Sequence, residues 1–317
     1  MTPYAPGMSP RERRATGMYD QYISIICVTG RIGGVDALIR TLDNGRPQPP
    51  FQLVIVDELY DRRNQALLAA RGHSGTSHVK VDSAHRWGNY MHSLNLGLEH
   101  AVGGRLLFIS DYTAFGPESL WEHARFHEEH PDEVMLGGIG YTELPKLHPE
   151  FPRKYGWLAM GHDVANPTPE SYAPWLDDAR RHELYEEWRV AYETDLDSGR
   201  LDPFMWSVFE KPVTSWDDVK DMRVFNHDRR DTSPFLNLKN DSIPRSLLEK
   251  IGGFDERADG CHGHQDSITW RQLAKVGAKL RVRAENPVRL LDPHGVAIIR
   301  RMTRPDDSNL KIYEAAQ

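Results

Sequence analysis

The sequence is poor in cysteine, has no long apolar run and carries no excess of positive charge. It contains 2 cysteines in 317 residues, Cys27 and Cys261. Cys27 lies within an apolar strand pattern, so we interpret both as reduced, buried thiols rather than as a disulfide. No stretch approaches the roughly 20 apolar residues of a membrane-spanning helix, and the first residues lack the apolar core of a signal peptide. We therefore expect a soluble protein in a reducing compartment, the cytoplasm.

The charge and the composition are those of an acidic, folded protein. A net charge of −7 argues against a general nucleic-acid-binding surface. An apolar content of 39%, with 8 Trp, 12 Tyr and 10 Phe, argues against disorder except at the ends. The 317 residues can bury a large core as one elaborated domain or as a domain with a sizeable insertion.

The first part of the chain alternates β-branched runs with a helical pattern. The runs Ile23–Val28 and Phe51–Val56 predict buried strands, and residues 35–42 have helical spacing. Parallel strands connected by helices end at one edge of a sheet, where open α/β sheets bind ligands. Asp57 and Glu58 follow the second strand directly. Either could bind a base or a ribose, although helix capping would also explain acidic residues here.

The stretch from Asn89 to Thr113 predicts a helix followed by a buried strand. Apolar residues recur at steps of three and four through Met91, Leu94, Leu98 and Ala101. The apolar run Leu106–Ile109 is too short for another helix and predicts a strand buried on both faces. Asp111 then lies at the carboxyl end of a central strand. A turn or N-cap role for Asp111 is the alternative, because a helix start follows soon after.

The segment that begins at Asn240 predicts a helix, a tight turn and a second helix. The helical pattern of Ser246–Lys250 is stopped by Gly252-Gly253, and Gln265 and Asp266 begin the next helix. The exposed N–H groups and the dipole of a helix stabilise an anion in its first turn by about 0.3–1 kcal/mol. We therefore expect Asp266 to be ionised and able to accept a proton from a hydroxyl group. An ordinary helix cap is the alternative.

Three motifs resemble segments of family 2 glycosyltransferases of the GT-A fold. Ser93–Glu99 and Phe108-Ile109-Ser110-Asp111 are similar to the segment that leads into the metal-binding Asp-x-Asp loop of that family. The ends of its first two strands are matched in part by Val28-Thr29-Gly30-Arg31 and Val56-Asp57-Glu58-Leu59-Tyr60. The run Ile251–Glu256, followed ten residues later by Asp266, resembles the Gly-Gly-Phe-Asp-Glu and Glu-Asp segments of inverting members, including a galactosyltransferase-like C-terminal module.

The resemblance implies an α/β fold of the GT-A (Rossmann-like) type, with a mixed, mainly parallel sheet flanked by helices. We expect one GT-A domain overall, made of a flexible N-terminal arm (1–20), a nucleotide-sugar-binding half (21–140), a helical insertion (141–235), and an acceptor-binding and catalytic part with a C-terminal closing segment (236–317). The insertion holds five of the 8 tryptophans. It is either a Trp-lined helical unit with a solvated acidic face or an element that binds the acceptor.

The activity that the resemblance implies is transfer of a sugar from a nucleoside-diphosphate sugar, with a UDP-sugar expected, to an acceptor hydroxyl. Inversion is expected, with Asp266 as the catalytic base. The donor would contact Thr29, Arg31, Asp57, Glu58, Arg86, Asn95 and Asp111, and the basic groups Arg300, Arg301 and Arg304 would neutralise the diphosphate. The acceptor would contact Asn240, Asp241, His262, His264 and Gln265. Saccharides, lipid-linked intermediates, small metabolites and modified nucleobases all stay open as acceptors, and the sequence does not indicate the oligomeric state.

A divalent cation, Mn²⁺ or Mg²⁺, is also implied by the resemblance, with Asp111 and His294 as its ligands. Such ions take hard oxygen ligands, commonly one or two carboxylates completed by phosphate oxygens. Tyr112 and Thr113 stand where a second Asp is expected, which leaves metal use open. A zinc site at Cys261-His262-Gly263-His264 is disfavoured, because structural zinc takes four ligands and no other Cys/His pair has suitable spacing.

Two other activities fit parts of the same pattern. A sugar-phosphate nucleotidylyltransferase would share the sheet, but it would normally have a glycine-rich phosphate loop, which residues 29–34 imitate weakly. A nucleotide-sugar-binding protein without turnover would explain the missing second carboxylate of the loop.

Overall fold

The computed structural model describes residues 8–29, 34–42, 47–58, 60, 76–82, 89–111, 113–143, 236, 238–259 and 265–292. The helices of this part are α1 (Pro10–Ala15), α2 (Gly34–Leu42), α3 (Tyr90–His100), α4 (Ser119–Glu129), α5 (Arg245–Ile251) and α6 (Gln265–Lys275), with a 3-10 turn at Glu256–Ala258. The strands are β1 (Ile23–Thr29), β2 (Phe51–Asp57), β3 (Ser77–Lys80), β4 (Arg105–Ser110), β5 (Thr113–Ala114), β6 (Glu133–Glu143), β7 (Asn240–Pro244) and β8 (Lys279–Asp292).

The strands of the described residues form one mixed sheet in the order β3-β2-β1-β4-β7-β6-β8-β5. The first four are parallel neighbours, and β6 is parallel to β8. Strand β7 runs antiparallel to β4 and β6, and β5 runs antiparallel to β8. The mixed, mainly parallel sheet flanked by helices that the sequence predicts is therefore confirmed.

Apolar side chains cover both faces of the central strands, which explains why these strands are continuous apolar runs. On one face, Ile26 and Phe108 belong to a core shared with α3, α5 and α6. On the other face, Ile25 and Leu107 pack with α2 and α4. Gly97 lets α3 approach the sheet closely, because a Cβ there would lie 2.6 Å from Cγ2 of Ile26.

Residues 8–20 of the predicted flexible arm are docked on the sheet domain. Helix α1 begins with a capping box. Arg14 Nη1 donates to the carbonyl oxygens of Glu99 and Ala101, at 2.9 and 2.8 Å, where α3 ends. Helix ends leave carbonyl groups without a partner and attract cations. Arg14 thus attaches the predicted flexible arm to the end of α3.

Residues 279–292, within the predicted C-terminal part (236–317), form a long strand that the sequence analysis did not predict. Strand β8 pairs with β6 from Glu133↔Lys279 to Glu143↔Asp292, with an irregularity between Gly137 and Ile139. Of the predicted insertion, residues 141–143 are the end of β6, and residues 144–235 lie outside the described part. No helix in the described ranges is long and apolar enough to cross a membrane.

Candidate active site

Asp111 follows β4 directly, as predicted, and only 5% of its surface is exposed. The register of β1 and β4 pairs Val28 with Ser110, so Thr29 and Asp111 end neighbouring strands side by side. Thr29 Oγ1 donates a hydrogen bond to Asp111 Oδ2 over 3.1 Å. Thr29 therefore holds the carboxylate in place, and its direct contact with a nucleotide stays a prediction.

Asp57, at the end of β2, is buried beside a histidine that the sequence analysis did not identify. His78 Nε2, on β3, lies 2.8 Å from Asp57 Oδ2. The ring of Tyr60 stacks on the His78 imidazole, with 4.3 Å between centroids. Glu58, also buried, donates from its backbone N–H to Thr29 O over 2.9 Å. The predicted polar ends of β1 and β2 are thus adjacent. In the sequence, only the position of His78 on a strand parallel to β2 could have indicated that it contacts Asp57.

The start of α3 is held by a carboxylate from a distant part of the chain. Met91 N and His92 N donate to the two carboxylate oxygens of Asp259 at 2.7 and 2.9 Å. Asn89, at the N-cap position, makes no side-chain capping bond. Asp259 therefore supplies the cap that the local sequence lacks. Burial raises the pKa of Asp259 to about 6, against the lowering effect of the two N–H donors.

The Gly-Gly-Phe-Asp-Glu motif is fastened to α3 by Asn95. Asn95 Oδ1 accepts from Phe254 N over 2.8 Å, and Nδ2 donates to Phe254 O at 2.9 Å and to Glu256 Oε1 at 2.8 Å. Gly253 has φ +88°, and a Cβ there would lie 2.8 Å from Asn95 Oδ1, so the turn requires glycine. The Phe254 ring packs edge-to-face on Phe108 of β4, with 5.2 Å between centroids. Asn95 was predicted to bind the donor, but both polar atoms of its amide hold this turn instead.

The charges of the two predicted acids, Asp111 and Asp266, both raise the pKa of the Tyr90 phenol. Tyr90 is the first residue of α3, and Asp266 lies in the first turn of α6. Burial raises the pKa of the Tyr90 phenol, and the charges of Cys27, Asp266, Asp111 and Asp241 raise it further. Such effects weaken with distance and with screening by solvent. The acid that follows β4 and the acid of α6 thus stand on elements that share one hydrophobic core with Tyr90, and their meeting at one site stays a prediction.

Strand β7 separates two residues that were predicted to bind the acceptor. Neighbouring side chains of a strand point to opposite faces of its sheet. Asp241 is fully buried and accepts from Leu238 N over 2.8 Å. Asn240 is 1% exposed, and its Nδ2 donates to Gly138 O over 2.9 Å. The Asn240 amide is thus used inside the protein instead of facing an acceptor.

A buried polar network joins β7 to α4 on the Asn240 side. Asn240 Oδ1 lies 2.9 Å from His123 Nε2. Ser242 Oγ lies 2.8 Å from His123 Nδ1 and 2.8 Å from His127 Nε2. Burial lowers the pKa of His123 to about 4 and that of His127 to about 3, so both imidazoles are neutral at neutral pH. The sequence analysis did not identify this network, which fixes the helix that follows the Asp111 loop.

Gln265 and Asp266 begin α6 as predicted, and Ser267 N donates to Asp266 Oδ1 over 2.8 Å. Within the described ranges, no group of three or more His, Cys, Asp or Glu side chains is arranged to hold a metal. Of the two predicted metal ligands, Asp111 lies in the described part of the chain and His294 does not. The use of Mn²⁺ or Mg²⁺ stays a prediction. The other predicted site residues lie outside the described part: Arg31, Arg86, His262, His264, His294, Arg300, Arg301 and Arg304.

Comparison with known proteins gives matches in structure only. No protein-family model matches the chain, and no curated protein sequence matches it. The crystal structure of S. aureus TarS 1–349 in complex with UDP-GlcNAc matches with a TM-score of 0.52 and 13% identity, over 93% of this chain and 66% of that chain. TarS 1–349 in complex with UDP matches with a TM-score of 0.45 and 14% identity, over 93% of this chain and 70% of that chain.

Longer TarS is matched over a smaller share of its own length. The crystal structure of S. aureus TarS gives a TM-score of 0.48 and 14% identity, over 92% of this chain and 42% of that chain. At such identities a match shows the fold alone. Taken with the mixed sheet and its flanking helices, the UDP-GlcNAc complex of TarS shows that this chain has the GT-A fold.

Proposed function

We propose that the protein is a glycosyltransferase that moves a sugar from a UDP-sugar to an acceptor hydroxyl, with inversion at the anomeric carbon. The observation that supports this proposal is that Asp111, at the carboxyl end of β4, and Asp266, in the first turn of α6, stand on elements that share one hydrophobic core. Ligands of open α/β sheets bind at the carboxyl ends of the strands, where this site lies. The fold match adds support for a uridine nucleotide, because TarS was crystallised with UDP-GlcNAc.

The donor side of the proposed site is built on strand ends. Thr29 fixes one oxygen of Asp111. A divalent cation bound by Asp111 would neutralise the negative charge of the departing diphosphate. At the next strand end, the buried Asp57 carboxylate, held by His78, could accept hydrogen bonds from the base or the ribose.

The acceptor side is built on the start of α6. Asp266 would take the proton of the acceptor hydroxyl while that oxygen forms a bond to the anomeric carbon. The bond from that carbon to the diphosphate oxygen breaks on the opposite side, and its electron pair leaves with the UDP. The N–H of Ser267 and the N-terminus of the helix favour the anionic carboxylate, which is the form that a base requires.

Product analysis tests the reaction type. The purified protein is incubated with UDP-sugars, Mn²⁺ and a panel of hydroxyl acceptors, and in parallel with sugar phosphates and UTP. Release of UDP with formation of a glycosylated acceptor is the expected result. Release of pyrophosphate from the second mixture would instead identify a nucleotidylyltransferase, and donor binding without either product would identify a binding protein.

Variants of the two acids test the residue roles. We expect Asp266→Asn to bind UDP within about twofold of the wild type, while transfer falls by about 10²-fold or more, because a positioned base contributes about 10²–10⁴-fold. Asp111→Ala should weaken UDP binding in the presence of Mn²⁺. Asp132→Asn, at an exposed turn after α4, is the control. Transfer at the wild-type rate by Asp266→Asn would refute the base assignment.

A further inference from the structure

Ser93, near the start of α3, has a buried hydroxyl group without a hydrogen-bond partner among the described residues. None of the Ser93 surface is exposed, and its Oγ atom forms no hydrogen bond within that part of the chain. Its backbone N–H donates to Asn89 O over 3.0 Å, so the helix itself is regular here. Buried polar atoms of native proteins are almost always satisfied by protein, by water or by a ligand. The Ser93 hydroxyl therefore calls for a partner from outside the described residues.

Helix α3 runs from the carboxyl edge of the sheet to its amino edge. The carbonyl oxygen of its last residue, His100, accepts from Gln52 Nε2 over 3.0 Å. Just after the helix, Gly103 N donates to Ser24 Oγ over 2.8 Å. Gln52 and Ser24 are the second residues of β2 and β1. The start of α3, which holds Ser93, therefore lies over the carboxyl ends of these strands.

The helix face that carries Ser93 is the face that rests on the sheet. A Cβ at Gly97 would lie 2.6 Å from Ile26 Cγ2 and 3.3 Å from Val56 Cγ2. Ser93 stands one turn before Gly97, and residues four apart share a helix face at a separation of about 6 Å along the axis. Two residues of a strand span about 6–7 Å. Ser93 is therefore level with Glu58, two residues beyond Val56.

Glu58 adds a carboxylate on the same face of the sheet. Side chains two residues apart on a strand point to the same face, so Glu58 shares the face of Val56, which belongs to the core under α3. Glu58 is 5% exposed, and its N–H donates to Thr29 O over 2.9 Å, which continues the pairing of β1 with β2. Asp57 points to the opposite face, where it contacts His78. The α3 side of this strand end thus carries one hydroxyl and one carboxylate.

A hydroxyl and a carboxylate on one face suit a ligand with two neighbouring hydroxyl groups. A carboxylate only accepts hydrogen bonds, whereas a serine hydroxyl both donates and accepts. The 2′- and 3′-hydroxyls of a ribose can donate to the first and exchange a hydrogen bond with the second. A diphosphate would instead be repelled by the carboxylate. Ligands of open α/β sheets bind at this edge.

We propose that Ser93, together with Glu58, binds the ribose hydroxyls of the donor nucleotide. This inference rests on the proposed transfer from a UDP-sugar and adds a ribose-binding residue to it. Ser93 contributes to the affinity for the ribose and leaves the contacts of the base and of the diphosphate unchanged.

Titration calorimetry with UDP and with 2′,3′-dideoxy-UDP, both in the presence of Mn²⁺, tests the assignment. The wild type should bind UDP more tightly than the dideoxy nucleotide. In Ser93→Ala the affinity for UDP should fall about 3- to 10-fold, as loss of one neutral hydrogen bond implies. The affinity for 2′,3′-dideoxy-UDP should stay within about twofold of the wild type. The variant therefore loses preference for the nucleotide that carries the ribose hydroxyls.

Ser246→Ala is the matched control. Ser246 also lies in a helix, α5, but is exposed. This variant should bind both nucleotides like the wild type. Ser93→Ala should unfold at the same urea concentration as the wild type or at a higher one, because it removes a buried hydroxyl without a described partner and adds a better helix former.

The outcomes separate this inference from the proposed function. Equal losses of affinity for the two nucleotides, or no loss for either, would overturn the ribose contact while the transferase proposal stands. A lower unfolding midpoint of Ser93→Ala would show that the hydroxyl serves the fold, which also overturns the contact. If the wild type binds neither UDP nor UDP-sugars, the proposed function fails first, and the ribose contact fails with it.

Discussion

Replacing Asn95 with aspartate tests how the Gly-Gly-Phe-Asp-Glu motif is attached to α3. The change keeps an oxygen that accepts from Phe254 N. It puts a second carboxylate oxygen where Nδ2 stood, 2.9 Å from Phe254 O and 2.8 Å from Glu256 Oε1. Two attractive contacts therefore become repulsive. We expect Asn95→Asp to be less stable at pH 7 than Asn95→Ala, although aspartate has nearly the shape of asparagine.

The magnitudes follow from the number of hydrogen bonds and from the exposure of Glu256. Each neutral hydrogen bond contributes about 0.5–1.5 kcal/mol. Asn95→Ala loses three bonds at a half-buried site where water replaces part of them, so we expect a loss of about 2 kcal/mol in the free energy of unfolding. The Glu256 side chain is 48% exposed. Repulsion between two charges 2.8 Å apart is then near the aqueous limit of about 1.5 kcal/mol. Added to the loss of the two bonds that Nδ2 donates, this gives about 3 kcal/mol in total for Asn95→Asp.

Urea unfolding followed by tryptophan fluorescence at pH 7 measures these differences. Adding Glu256→Gln to Asn95→Asp should recover part of the loss, because an amide can donate to the new carboxylate. Glu256→Gln alone is the control for the second change. Equal stability of Asn95→Asp and Asn95→Ala, or no recovery in the double variant, would show that the attachment is not as described.

Three further predictions concern the packing, the buried histidines and the acid that follows β4. Gly97→Ala places a Cβ 2.6 Å from Cγ2 of Ile26 and should lower the free energy of unfolding in urea by about 1–3 kcal/mol. Burial lowers the pKa of His127 to about 3, so as the pH falls the unfolded chain binds a proton on this histidine before the folded protein does. The contribution of neutral His127 to the free energy of unfolding is therefore complete above about pH 6.5 and declines by about 1.4 kcal/mol per pH unit below it. His127→Gln, which can still donate from the position of Nε2, should flatten that decline in urea titrations between pH 6 and 4. Thr29→Val should reduce UDP release about 10-fold, because it removes the hydrogen bond that holds Asp111.

The parts of the fold that the sequence predicts well are those with a local pattern. The apolar runs of β1, β2 and β4 and the spacing of α3 are visible in windows of a few residues. The positions of Asp111 and Asp266 follow from them, because each stands directly beside an element that the local pattern defines. Strand β8 was not predicted, since its apolar positions alternate with basic ones. Only pairing with β6, more than a hundred residues earlier, explains it.

The supporting residues of the site could not be predicted because their partners are distant in sequence. Asp259 caps α3 by accepting from Met91 N, 168 residues earlier in the chain. Tyr90 and His78 gave no signal in their own segments, since nothing local indicates which acids will lie beside them. Asn95 was predicted to bind a nucleotide because its motif is found in nucleotide-binding enzymes. Its role as a tether becomes visible only when the turn at Phe254 is seen beside it.

The hydrogen bonds between β7 and α4 can run in only one direction. A carbonyl oxygen only accepts, so Gly138 requires Asn240 to donate from Nδ2 and to accept at Oδ1. His123 must then carry its proton on Nε2 and accept at Nδ1 from Ser242, whose oxygen in turn accepts the Nε2 proton of His127. No link can be reversed without reversing the one that ends on the backbone. Because His123 and His127 stand one turn apart on α4, these bonds fasten two successive turns of the helix to β7, and the loop between β4 and α4 has a fixed anchor at its far end.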